Sequence, residues 1–114
     1  MVTGQYQLQV QNGNVVLELS GELDISSVHG FHDVLHARED EWNGHSLEVD
    51  VRNLRYLDAA WMQVLLSLQK TVNETGQAFV VRAVSPDVAK LFELCGIDGH
   101  LRWEPAAAET ETAA

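Results

Sequence analysis

The chain has 114 residues, 46% of them hydrophobic, which suits one domain with a single core. Its 7 basic and 17 acidic residues leave a formal net charge of −10. Such a surface repels phosphate backbones and anionic lipid heads, so it argues against direct nucleic-acid or membrane-surface binding; a protein partner with a basic patch, or solubility alone, remains as the use of the charge.

Gln5 to Val10 alternates polar and apolar residues, with Tyr6, Leu8 and Val10 on one side, as a half-exposed strand does. Asn12-Gly13-Asn14 is a tight-turn signal, and Val15 to Leu19 reads as the second arm of an antiparallel hairpin. Gly21-Glu22-Leu23-Asp24 is expected to leave the strand as a loop. Ser26 or Ser27 then caps a helix whose apolar face is Val28, Phe31, Val34 and Leu35. Trp42-Asn43-Gly44 closes that unit. Ser46 to Val51 is the next strand, with Leu47, Val49 and Val51 on one face.

Asp58 is the expected N-cap of a helix from Ala59 to about Glu74, apolar over a wide arc and so substantially buried. Thr75-Gly76 stops it. Ala78 to Val81 is a short apolar strand of a central kind. Ser85-Pro86 starts a last helix with Val88, Leu91, Phe92 and Cys95 on its apolar face, ended by Gly96. Leu101 to Trp103 closes as an edge strand. The order is β-β-α-β-α-β-α-β, an α/β chain with a mixed, mostly parallel sheet and helices packed against it. Residues 1–103 form the domain, and residues 104–114, without a large apolar side chain, are expected to be a disordered tail.

Met1 to Val10 lacks the basic start and apolar core of a signal peptide, and no run approaches the roughly 20 apolar residues of a membrane span. Cys95 is the single cysteine and has no partner for an internal disulfide. A cytoplasmic location fits these features. Cys95, on an apolar helix face, reads as a small core residue rather than a nucleophile.

His29, His32 and His36 share one helical stripe, and His32 and His36 have the spacing of helical metal pairs. Asp33 is near, but no cysteine or acid at matching spacing completes a set. The stripe reads as a solvated or half-buried helix flank with a modest pH response below pH 7. No nucleophile motif, phosphate-binding loop or dinucleotide fingerprint occurs, so neither an enzyme nor a cofactor is expected.

Four stretches, in register over residues 5 to 103, resemble the STAS domain family, which includes the bacterial anti-sigma factor antagonists. Leu17-Glu18-Leu19-Ser20-Gly21-Glu22-Leu23-Asp24 resembles the family's second strand and Gly-x-Leu-Asp loop. Leu47 to Asn53 resembles the strand before its switch turn, and Asp58 to Leu66 its switch helix. Val84 to Ile97 resembles its last helix, with the Ser-Pro start and the Leu-x-x-x-Gly-hydrophobic end. The resemblance implies a STAS fold with helices against a curved sheet, no catalytic apparatus, and partner binding around the switch helix N-terminus.

In the antagonists the switch turn reads Asp-Ser-Ser-Gly, and the second serine is phosphorylated to break a complex with an anti-sigma factor. Here it reads Asp58-Ala59-Ala60-Trp61. Ala60 stands at the phosphosite, and a methyl group cannot take a phosphate. The domain is then either constitutively competent or regulated elsewhere, with Ser26, Ser27, Ser67 or a threonine still open to modification.

Asp58 serves as a cap, Asp24 as a cap or a partner contact. Trp61 is either an exposed anchor of the hot-spot kind, extended by Met62 and Leu66, or a core residue. An exposed Trp61 patch would also allow a homodimer. The resemblance implies a partner surface of Asp24, Asp58, Ala59, Ala60, Trp61 and Met62. The partner would be an anti-sigma factor or serine kinase, or a chemotaxis or two-component protein. The alternative role is a small accessory subunit bound to the ATPase of a phospholipid-transport ABC complex.

Overall fold

The computed structural model describes residues 4–106. The first hairpin forms as its turn residues dictate. Strand β1 (Gln5–Gln11) pairs antiparallel with β2 (Asn14–Leu23). Asn12 and Gly13 between them take φ values of 53° and 80°, the left-handed pair that a tight hairpin turn requires. Three further strands, β3 (Leu47–Leu57), β4 (Phe79–Val84) and β5 (Trp103–Pro105), add in parallel, giving the order β1-β2-β3-β4-β5. The helices between them are α1 (Val28–Ala37), a single turn α2 (Glu39–Trp42), α3 (Ala59–Glu74) and α4 (Pro86–Leu94). This is the mixed α/β sheet that the element order predicts.

Each parallel strand is added on the same side of its predecessor, and crossovers of one hand then put every helix on one face. Burial follows that rule. Val15, Leu17 and Leu19 of β2, Leu47, Val49 and Val51 of β3, and Phe79 and Val81 of β4 are buried under the helices. The outer face carries Gln5, Gln7, Glu18, Arg52 and Arg82 in solvent. Helix α3 supplies Trp61, Met62, Val64, Leu65, Leu68 and Val72 to the core, the wide buried arc that its composition predicts.

Several boundaries differ from the sequence reading. Gly21-Glu22-Leu23 is not loop but the end of β2, carried there through two register shifts against β3. Gly21 supplies a left-handed φ of 72° at one of them. Strand β3 runs on past Val51 to Leu57. Its inward residues change spacing from every second (Leu47, Val49, Val51) to every third (Leu54, Leu57), so simple alternation loses the strand where the bulges begin. Strand β4 extends to Val84 through a similar slip at Ala83, which takes a φ of 60°.

Ser27 holds the N-cap position of α1, as expected, but makes no side-chain capping bond; the capping carboxylate lies one 3-10 turn earlier, at Asp24. Its side chain accepts from the Ser26 N–H and starts a short 3-10 turn, Ile25–Ser27, that leads into the helix. On α1 only Phe31 and Leu35 are buried; Val28 and Val34 are half-buried. Cys95 is an exposed C-cap residue of α4, not a core residue, because α4 turns Val88 and Phe92 inward and ends beside them. Glu104 and Pro105 belong to β5, so the ordered chain passes the expected limit at residue 103. Of the tail expected over residues 104–114, residues 107–114 lie outside the described residues.

Candidate functional site

The site begins with register. Leu23 and Leu57 are partners in the β2–β3 ladder, so the next residues, Asp24 and Asp58, leave neighbouring strand ends side by side. Each caps the helical segment that follows. Asp58 Oδ1 accepts from the Trp61 N–H at 3.2 Å, the expected cap of α3. Its Oδ2 accepts from the Ile25 N–H at 2.7 Å, and its own N–H donates to the Leu23 carbonyl at 3.1 Å. One carboxylate thus ties the start of α3 to the loop before α1.

Asp24 organises that loop from the other side. Its Oδ1 accepts from the Ser26 N–H at 2.9 Å and from the Ser26 hydroxyl. The Ser26 hydroxyl first, and its N–H second, hold the Asp24 carboxyl below the usual carboxylate range, against a weaker effect of burial. The Asp24 carbonyl accepts from the Ser27 hydroxyl and from Trp61 Nε1–H, both at 2.9 Å. Trp61 Nε1–H also reaches Ser27 Oγ at 3.0 Å.

Trp61 is fully buried (0% exposed) and Met62 nearly so (2%), which corrects the reading of an exposed anchor. The indole sits against Phe31, with ring centroids 4.8 Å apart, and against Tyr6 at 6.1 Å; Tyr6 and Phe31 meet edge-on at 5.1 Å. Its two polar contacts satisfy the one N–H that burial would otherwise orphan. Trp61 therefore shapes the site from beneath and does not form its surface. Leu66 is half-buried and adds no apolar patch to it. A homodimer through an exposed Trp61 patch loses its basis.

The surface itself consists of Asp24, Ile25, Ser26 and Ala59, with Asp58 and Ala60 half-buried among them. Ile25 is 70% exposed, a large apolar side chain in the middle of an acidic loop. The sequence reading passed over it; the signal was an isoleucine inside a capping stretch, where no core position exists for it. Tyr56, opposite Glu22 in the ladder and 42% exposed, stands two residues before Asp58. Neither Ala59 nor Ala60 carries a hydroxyl, and both carboxylates of the site are engaged by backbone N–H groups. The arrangement suits recognition: it presents acidic groups, one prominent apolar side chain and a helix start flanked by methyl groups.

The three histidines stay on the solvent side of α1. His29 lies 3.8 Å from Asp33 and His36 lies 4.0 Å from Glu39, all well exposed. No group of three or more metal-ligating side chains gathers among the described residues.

Comparison with known proteins agrees with this fold. The family described as "Mlab, STAS domain" matches residues 6–102. The chain therefore belongs to the STAS domain family. An anti-sigma F factor antagonist from Paenibacillus polymyxa is 27% identical over 97 residues, covering 82% of this chain and 80% of that protein. The crystal structure of an anti-sigma factor antagonist from Mycobacterium paratuberculosis superposes with a TM-score of 0.75 at 19% identity, covering 97% of this chain and 93% of that one. The Bacillus cell fate determinant SpoIIAA, in its phosphorylated form, gives a TM-score of 0.65 at 17% identity, covering 96% of this chain and 100% of that one. The chain is thus a STAS domain similar to anti-sigma factor antagonists, with the sheet and helix arrangement of that fold. Among the described residues no helix is long and apolar enough to cross a membrane.

Proposed function

We propose that this protein is a non-catalytic interaction module of the cytoplasm that binds a signalling partner through the surface at the start of α3. The partner is an anti-sigma factor or serine kinase, or a chemotaxis or two-component protein. The surface comprises Asp24, Ile25, Asp58, Ala59 and Ala60, with Trp61 and Met62 supporting it from the core. The observation that carries this reading is the double use of Asp58, which fixes the loop and the helix start as one preformed surface. A preformed surface binds at a smaller ordering cost than a mobile one. The similarity to anti-sigma factor antagonists supplies the partner class.

Binding is constitutive at this turn. A phosphate would disrupt a docked surface through charge and desolvation, and Ala59 and Ala60 offer it no oxygen. The same two methyl groups favour a second reading, an accessory subunit permanently bound to the ATPase of a phospholipid-transport ABC complex. Such a subunit needs no switch.

Affinity capture from native cytoplasm tests both, comparing the intact protein with Ala60→Glu. An acidic residue in the first turn suits the helix dipole, so this variant keeps α3 while placing charge on the surface. Loss of the partner on that substitution supports the proposed site. A co-purifying ATPase in stoichiometric amount selects the second reading. An unchanged partner list for a folded Ala60→Glu variant sinks the site, and phosphate found on Ser26 or Ser27 in the captured protein sinks constitutive binding.

A further inference from the structure

Strand β1, at one edge of the sheet, carries none of the usual edge protection in its own sequence. An open edge offers unpaired N–H and C=O groups, and native sheets blunt such edges with charge, proline, bulges or short strands. The β5 edge follows the rule: it is 3 residues long, with Glu104 and Pro105 in it. Strand β1 has 7 residues, QYQLQVQ, with no charge, no proline and an unbroken register against β2. In a chain of net charge −10, the first charged residue is Glu18.

The hairpin register says which groups the edge exposes. Gln11 and Asn14 flank the turn and form its hydrogen-bonded pair. Alternation then gives the ladder bonds to Gln9, Gln7 and Gln5, and turns the backbone groups of Tyr6, Leu8 and Val10 outward. One of these outward groups is covered. Arg38, just after α1, donates from Nη1 to the Leu8 carbonyl at 3.0 Å. Its Nε and Nη2 donate to the two carboxylate oxygens of Glu41 at 2.9 and 2.7 Å, a fork that holds the guanidinium across the middle of the edge.

We propose that β1 is a self-pairing edge, on which a second copy of this chain docks antiparallel about a two-fold axis through Leu8, and that Arg38 is the guard that keeps it closed. The strand's own pattern names the occupant. QYQLQVQ alternates identically in both directions about Leu8. Under that axis Leu8 meets Leu8, Tyr6 meets Val10 and Gln7 meets Gln9 of the second copy, so every apolar residue stays on the core face. Glutamine amides both donate and accept, and so satisfy one another across the axis without any countercharge. Val10, 41% exposed at this edge, gains the Tyr6 ring of the second copy as cover. A charged foreign strand finds no complementary charge here. One strand pair buries less than a standard interface, so with the guard in place the pairing is weak.

Sedimentation equilibrium of the full chain tests this with wild type, Arg38→Ala and the double variant Arg38→Ala/Val10→Lys. The expected result is a dimer for Arg38→Ala with self-association at least about tenfold tighter than wild type, reversed to monomer when Lys at position 10 blunts the edge. Glu41→Gln, which loosens the fork and leaves Arg38 in place, is expected to shift association in the same direction by less. Equal association constants for wild type and Arg38→Ala overturn the guard. Association of Arg38→Ala that Val10→Lys leaves untouched places the interface elsewhere and overturns the edge. Should circular dichroism show Arg38→Ala to be misfolded, Glu41→Gln decides by the same criterion.

Discussion

Trp61 shows how one residue can change a site without appearing on its surface. At the switch turn, where the family resemblance implies a glycine, this chain fills the space between β1, α1 and α3 with an indole. Replacing it by Ala removes the aromatic contacts with Tyr6 and Phe31 and is expected to cost about 3–5 kcal/mol, measured as a lower urea midpoint. Trp61→Phe keeps one ring but loses the donor to Asp24 and Ser27 and part of the indole's buried volume, so its expected cost is smaller, about 2 kcal/mol. Equal losses for the two variants would mean that the hydrogen bonds, not the packing, hold the loop.

Asp24 makes a second prediction at this scale. Its folded pKa lies below the unfolded one because Ser26 donates to the carboxylate. The stabilisation is therefore fully present above the ordinary aspartate pKa and is lost as pH falls through the lowered folded value. Acid unfolding of Asp24→Asn should lack this part of the pH dependence. Parallel acid-unfolding curves for wild type and Asp24→Asn would show that the carboxylate contributes nothing.

The elements behave as their sequences dictate until the sheet bulges. Asn12-Gly13 fixes the hairpin, Ser85 and Pro86 fix the start of α4, and Asp58 fixes that of α3. The ends of β2 and β3 were not legible in the same way. Their inward residues leave the two-residue period, and each strand holds its irregular path only because the other shifts register beside it. Gly21 permits one of those shifts. Gly21→Ala forces a side chain into a left-handed backbone and is expected to cost about 1–2 kcal/mol. Because β2 aims Asp24 at Asp58, the same substitution should weaken partner capture by more than its stability loss explains. Capture that tracks stability alone would detach the bulge from the site.

Charge acts at the scale of the whole molecule. A net charge of −10 favours encounter with a basic partner and disfavours self-association at long range. Partner association is therefore expected to slow and weaken as salt is raised, because exposed charges are screened beyond a Debye length. A salt-independent association rate would assign recognition to Ile25 and the methyl groups instead of the acidic loop.

The order of the main elements and the STAS family were readable from the sequence. Periodicity, caps and turn residues are local properties, and each is written within a few neighbouring positions. Which side of Trp61 faces solvent was not local. An indole after a helix cap can point either way, and the choice fell to Tyr6, Phe31 and the Asp24 carbonyl, which the sheet brings together from three distant parts of the chain. The exposure of Ile25 and Cys95, and the approach of Arg38 to Leu8, were decided in the same way. Burial and edge contact depend on which elements pack together, and that partnership exists only once the chain has folded.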